Sequence, residues 1–250
     1  MKDFVIIIPA RLESTRLPNK VLLPMHGKPM IEHVYERSLI SGASRVIIAT
    51  DNLKIMAWAE SVQAECVITS ALHPNGTSRI HEAIHSLGLD PKMPIVAVQA
   101  DEPAINPKLI VACAKKISAY DASSLTMVTA ADSLKNSSEW MDPNTVKVVL
   151  NHDSEALYFS RAAIGGKDSF GLDASSVMKH IGLYAYYPHF LNQYISLPAC
   201  QLEQSERLEQ LKALYHGATM PVVRFDEETG FGVDTIDDYE RMCKLLSKLG

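Results

Sequence analysis

Three cations, Arg11, Arg16 and Lys20, fall within ten residues just after the apolar run "FVIII" at 4–8. Arginine grips a phosphate through two N–H groups at once, and lysine adds a compact point charge, so the cluster has the chemistry of a polyphosphate site. Each charged hydrogen bond of this kind contributes roughly 1.5–3 kcal/mol. Cations in a loop are often only a solvated surface. Here they sit at the end of a strand-like run in a chain of formal net charge −5. Two carboxylates complement them: Asp101 in "QADEP" and Asp234 in "GFGVDT" each follow an apolar run. If folding brings them together over phosphates, they have the oxygen chemistry of a Mg2+ site, which needs only a few carboxylates plus substrate oxygens. Alone, Asp234 would do no more than cap the last helix.

The familiar phosphate loops are missing. There is no GxxxxGK[ST], and "GFGVDT" (230–235) lacks the third glycine of a dinucleotide fingerprint. "HPNGTSR" (73–79) places Gly76 and Thr77 at the entry of a helix with Arg79 in its first turn. That arrangement caps a helix, or lines a ligand with backbone N–H groups. "HEAIH" (81–85) matches the HExxH zinc-protease pattern. Its apolar stripe is Ile80, Ala83, Ile84 and Leu87, with His81 and His85 at the flanks and Glu82 pointing away, so an ordinary surface helix accounts for it.

These residues need a frame. "FVIII" (4–8), "RVIIAT" (45–50), "ECVIT" (65–69) and "PIVAV" (94–98) are apolar without polar alternation, the pattern of strands buried on both faces of a parallel sheet. Helical patterns over 29–41, 52–62, 77–87 and 108–119 lie between or after them, giving α/β alternation. In such sheets ligands bind beyond the carboxyl ends of the strands. Those ends carry Arg11, Arg16 and Lys20, then Asp51, then Gln99 and Asp101. After about residue 125 the strands crowd together: "LTMVTA" (125–130), "VKVVL" (146–150), "ALYF" (156–159), "KHIGLYAYY" (179–187) and 221–225. This predicts an antiparallel extension or small lobe, with helices over 203–214 and 236–249 and a loose loop at 165–176.

At 250 residues the chain suits one domain with a substantial core. The acidic balance argues against a long nucleic-acid or membrane-surface footprint. Four scattered cysteines without a CxxC pair fit a reducing compartment. No apolar run approaches the ~18–20 residues of a membrane span, and "FVIII" stops at Pro9 rather than extending into a signal-peptide core. The expectation is a cytoplasmic protein.

The segments "IPARLESTRLPNK", "GKPMIEHVYERS", "ATD", "NGTSR", "VQADEP", "DPNTVKVVL", "ALYFSRA", "KHIGLYAY", "LEQSERLEQLKAL" and "GFGVDT" together give the chain an end-to-end resemblance to the 3-deoxy-D-manno-octulosonate (Kdo) cytidylyltransferases, the CMP-Kdo synthetases. Their order and spacing carry the resemblance more than any one of them. It implies a Rossmann-like α/β nucleotidyltransferase fold, mostly parallel with a small antiparallel extension. Residues 1–250 would form one domain, 1–125 mainly binding nucleotide and 126–250 mainly binding sugar and forming a homodimer. The implied reaction joins CMP from CTP to Kdo, releasing pyrophosphate, with Mg2+ as cofactor and lipopolysaccharide as destination.

By the same resemblance Arg11, Arg16 and Lys20 hold the triphosphate, Lys20 also offsetting charge on the departing group. Asp51, Gly76, Thr77 and Arg79 surround the cytidine end, and Asp101 and Asp234 bind the metal. Gln99, Arg161, His180, Tyr184, Glu209 and Gln210 line the sugar-acid pocket. The chain departs from the family at Ala100, where glycine is usual, and at Asn19–Lys20–Val21, where Gly–Lys–Pro is usual. Ala100 requires a negative φ. Rival readings are the same transfer to 8-amino-Kdo or to sialic acid, and a CTP-binding regulator without turnover; the presence of both aspartates argues against the last.

Overall fold

The computed structural model describes residues 3–165 and 176–249. In chain order come β1 (Val5–Ala10), a 3-10 turn (Lys20–Leu22), β2 (Pro24–Met25), β3 (Lys28–Pro29), α1 (Met30–Ile40), β4 (Arg45–Thr50) and α2 (Leu53–Ser61). There follow β5 (Glu65–Ile68), α3 (Gly76–Ser86), β6 (Ile95–Ala97), α4 (Pro107–Ile117), β7 (Met127–Asp132) and α5 (Ser137–Met141). The remainder is β8 (Lys147–Leu150), β9 (Ala156–Ser160), β10 (Val177–Tyr186), α6 (Pro188–Ser196), α7 (Gln201–Glu206), α8 (Gln210–Tyr215), β11 (Val222–Arg224) and α9 (Ile236–Leu249).

The central sheet runs β11-β7-β10-β6-β1-β4-β5, with β8 pairing β10 and β9 pairing β8. β6, β1, β4 and β5 are mutually parallel, as are β11 and β7, whereas β10 is antiparallel to β6, β7 and β8. The mostly parallel sheet with an antiparallel extension is thus as the sequence predicts. The β1 side chains alternate between two cores. Phe4, Ile6 and Ile8 pack with Ile31, Val34, Leu109 and Ile110 of α1 and α4, while Val5 and Ile7 pack with Ile80, Ala83 and Ile84 of α3 and Phe190 of α6. Helices on both faces require apolar residues at every strand position, which is why the strand shows no alternation. A third, smaller core joins Leu17 of the cation loop, Ala104, Val233, and Met242 and Leu246 of α9. It brings the far end of the chain to the first loop.

One sequence expectation changes, one helix goes unpredicted and one expected loop lies largely outside the described residues. The helix expected over 203–214 is two helices, α7 and α8, because Arg207 takes a left-handed conformation at φ 54° and ends the first. Helix α6 was hidden behind Pro188, which occupies its first turn where no N–H is needed. Most of the 165–176 loop, residues 166–175, lies outside the described residues.

Candidate active site

Parallel strands send their carboxyl ends to one edge, and the register fixes who meets there. Ala10 pairs with Thr50 and Ile7 with Ala97, so Arg11, Asp51 and Gln99 emerge along one rim. The loop after β1 turns back through Asn19, whose φ of 56° is left-handed. Asparagine tolerates that geometry better than other side chains bearing a Cβ. Ala100 keeps a negative φ, as required. Lys20 then starts the 3-10 turn.

Lys20 is the centre of the charge cluster. Its Nζ donates to Oδ2 of Asp101 at 2.7 Å and to Oδ1 of Asp234 at 2.9 Å. Nη2 of Arg16 lies 2.9 Å from Oδ2 of Asp234, with the Arg16 side chain 62% exposed against 12% for Lys20. Burial works against the Lys20 ammonium, but Asp101 and Asp234 outweigh it and hold its pKa above the usual value. Burial likewise favours a neutral Asp234, yet Lys20 and Arg16 hold its carboxyl below the usual range. Two remote carboxylates thus share one ammonium. The backbone arranges this: Val233 donates its N–H to the carbonyl of Asp101 at 2.9 Å, and Gly230 donates to that of Ala104 at 3.2 Å. A Cβ on Gly230 would lie 2.6 Å from that of Ala104, so only glycine allows the approach. Thr235 and Asp238 cap the last helix through reciprocal hydrogen bonds. The Asp234 side chain is therefore left for the cluster.

Gly76 opens α3 against the rim: a Cβ there would sit 3.1 Å from Cγ of Pro9. Asn75 caps the helix by accepting from the N–H of Ser78 at 2.9 Å. Arg79, only 3% exposed, reaches Oδ2 of Asp51 at 2.7 Å and Oγ1 of Thr69 at 2.6 Å. Asp51 is thus committed to Arg79 and does not line the cavity beside it.

A cavity of about 440 Å³ lies over this rim, lined by Arg11, Arg16, Lys20, Gly76, Arg79, Asp101 and Asp234 among others. A second, of about 290 Å³, adjoins it and shares Gly76, Gln99 and Glu209 as a wall. Thr77, Tyr184 and Gln210 line the second cavity, together with Tyr186, Phe190 and Tyr194. These three aromatics stack at centroid distances of 5.6 and 5.8 Å. Tyr186 closes β10, and Phe190 and Tyr194 stand one turn apart on α6, a spacing that the sequence offers as a helical signal. Burial raises the Glu209 carboxyl, although Thr77 donates to it at 3.0 Å. Nε2 of Gln210 and the hydroxyl of Tyr186 are buried without a protein partner. A buried polar atom in that state calls for a ligand or water.

Two residues expected in the sugar pocket lie elsewhere. Arg161 does not line either cavity; its Nε donates to the carbonyl of Glu206 at 3.1 Å and Nη1 to that of Pro143 at 3.2 Å. These bonds tie it to the end of α7. His180 faces a third cavity, of about 670 Å³, which meets the second at Gly182 and Tyr184. Its ring hydrogen-bonds to Oγ1 of Thr129 at 2.9 Å, and burial depresses its pKa to about 3. Glu102, missed in the sequence, lines that cavity as well. Burial, aided by the charge of Asp101, pushes its carboxyl up to about 8, so it holds a proton at neutral pH.

His180 gives a stability prediction. An unfolded histidine takes up its proton near pH ~6.5, whereas the folded one resists until about 3. The unfolded state then binds more protons, so stability is lost as the pH drops through that window, by at most about 1.4 kcal/mol per unit. Urea unfolding at neutral and mildly acid pH should show a shallower acid loss in His180→Gln than in wild type. Equal slopes would refute the assignment.

Among the described residues no three His, Cys, Asp or Glu side chains converge on a metal-sized point. Asp101 and Asp234 still fit Mg2+, because its other oxygen ligands come from phosphates and water.

Comparison with known proteins agrees with this geometry. Residues 5–224 match the cytidylyltransferase family. A 3-deoxy-manno-octulosonate cytidylyltransferase of Herminiimonas arsenicoxydans is 46% identical, covering 98% of this chain and 100% of its own. Its counterpart from Neisseria meningitidis serogroup A is 42% identical over 97% of each chain. Among solved structures, a CMP:2-keto-3-deoxy-manno-octonic acid synthetase complexed with CTP superposes with a TM-score of 0.91 at 34% identity, covering 100% of both chains.

Proposed function

The chain belongs to the 3-deoxy-manno-octulosonate cytidylyltransferase family, and on that premise we propose how its two cavities divide the work. The enzyme transfers CMP from CTP to the anomeric hydroxyl of Kdo and releases pyrophosphate. The observation that carries the assignment is the shared wall: a cation-lined cavity and an aromatic-walled cavity meet at Gly76, Gln99 and Glu209. A nucleotide in the first places its α-phosphorus beside a sugar in the second. The unpartnered Gln210 amide and Tyr186 hydroxyl suit a ligand rich in hydroxyl groups.

In the transfer, the sugar hydroxyl gives its proton to water as its oxygen bonds to the α-phosphorus and the bond to the bridging oxygen of pyrophosphate breaks. Such transfers depend mainly on positioning and charge neutralisation. Arg11 and Arg16 hold the triphosphate, and Lys20 offsets charge on the departing pyrophosphate. Gly76 bounds the cytidine end, supported from behind by Arg79 and Asp51, whereas Thr77, expected there from the sequence, faces the second cavity and donates to Glu209. Gln99, Tyr184, Glu209 and Gln210 orient the sugar. Asp101 and Asp234 would hold Mg2+, which when bound would supply neutralisation of the phosphate charge and of the charge developing on the attacking oxygen. No covalent nucleophile is needed.

A pyrophosphate-release assay with CTP, ATP and GTP against Kdo, 8-amino-Kdo and sialic acid tests the reading. CTP with Kdo should give the highest specificity constant; comparable values for ATP and CTP would refute it. Arg16→Ala should weaken CTP binding by about one to two decades, from the loss of one charge-assisted contact. Kdo binding should change far less, and an unchanged CTP affinity would remove Arg16 from the site.

The wider setting is part of the proposal. The fold works as a single domain and a homodimer in the cytoplasm, and its product feeds lipopolysaccharide assembly. Four free cysteines support a reducing compartment, and no helix among the described residues is long and apolar enough to cross a membrane. Light scattering on the purified protein tests the dimer.

A further inference from the structure

CMP transfer makes no use of the outer face of α3, where His81 and His85 stand one turn apart opposite Asn192 of α6. Nε2 of His81 and Nε2 of His85 are 3.2 Å apart, and Oδ1 of Asn192 is 3.1 Å from the first and 2.9 Å from the second. Hydrogen bonding cannot satisfy all three edges of this triangle. If the amide oxygen accepts from both rings, both Nε2 atoms carry protons and oppose each other. If the amide is turned so that its nitrogen donates to both, the rings face each other with two lone pairs. Every tautomer leaves one edge unpaired.

A single cation satisfies all three atoms at once. With metal–ligand bonds of about 2.0–2.1 Å, the two imidazole nitrogens would subtend about 100°, and the amide oxygen about 90–100° with each nitrogen. These angles belong to one face of a tetrahedral or octahedral first-row site. Neutral imidazole selects borderline ions over Mg2+ or Ca2+, which prefer all-oxygen sets. Glu82, between the histidines in sequence, is turned away: it accepts from the N–H of Ser70 at 2.9 Å and pairs with His73. Without a carboxylate base beside the ion, the site holds metal but lacks the hydrolytic partner of an HExxH enzyme.

We propose that His81, His85 and Asn192 form a binding site for a borderline divalent ion of the Zn2+ or Ni2+ class, which staples α3 to α6. The staple would join the helix that brings Gly76 and Arg79 to the first cavity to the helix that walls the second with Phe190 and Tyr194.

The test uses the full chain stripped of metal, titrated calorimetrically with Zn2+ and, separately, with Ni2+, in the absence of nucleotide. One site of micromolar affinity is expected, together with a rise in the melting temperature that follows ion concentration. His85→Gln should weaken binding at least about tenfold and abolish the rise, and Asn192→Ala should weaken it less. Since His85 is exposed, equal melting temperatures of His85→Gln and wild type in chelator show that the fold is kept. Asp101→Asn should bind the ion as wild type does. The proposal is overturned if neither ion binds at micromolar concentration, if both surface variants bind like wild type, or if Asp101→Asn removes the binding. None of these readouts depends on CMP transfer, so its failure and failure of the assigned activity are separate results.

Discussion

Asp101→Asn and Asp234→Asn should each fold normally and lose turnover by about two to three orders of magnitude, the scale of removing one preorganised electrostatic group. Asparagine keeps the shape of the side chain and removes its charge. In the structure both carboxylates meet the same ammonium of Lys20, so either change leaves a single anion to hold the proposed Mg2+. Binding of CTP should largely survive, because Arg11 and Arg16 remain; Asp234→Asn also frees Arg16 from its ion pair. A split between lost turnover and retained CTP affinity is therefore the signature. EDTA should stop the wild type and added Mg2+ should restore it, whereas chelation should change little in the variants. Near-normal turnover in either Asn variant would rule out the shared-metal assignment.

Arg79→Met should act on stability as well as on nucleotide binding. The guanidinium is almost wholly buried and holds Asp51 and Thr69. Removing it strands a carboxylate in a poorly solvated place, at a cost of roughly 3–5 kcal/mol. For a chain of this size the melting temperature should fall by on the order of 10 °C. CTP affinity should fall too, since the Asp51–Arg79 pair supports the rim between β4 and α3. Asp51→Asn should weaken the fold less, and the double variant should be more stable than the sum of the two single losses implies. Strict additivity would show that the pair is not coupled.

The amino-acid sequence by itself determined the parallel half of the fold. Runs such as "FVIII" are apolar at every position because both faces of the strand are covered, and that pattern is local. It also located the cation cluster, both aspartates and the helix entry at Gly76, since residue type and strand ends can be read within a few neighbours. What only the tertiary structure decided depends on contacts between distant segments. Asp234 meets Asp101 because Gly230 and Val233 hydrogen-bond to the loop after β6 and Val233 enters the third core. Asp51 is withdrawn from the cavity by a buried arginine, and Arg161 is held at the end of α7 by backbone carbonyls. The turn at Arg207 divides a helical pattern that otherwise reads as continuous. His81 and His85 acquire a third donor only from α6, which lies more than a hundred residues further along. Local periodicity encodes which face of an element is apolar; it does not encode which remote loop packs against that element, because that choice is made by the packing and hydrogen bonding of the whole chain.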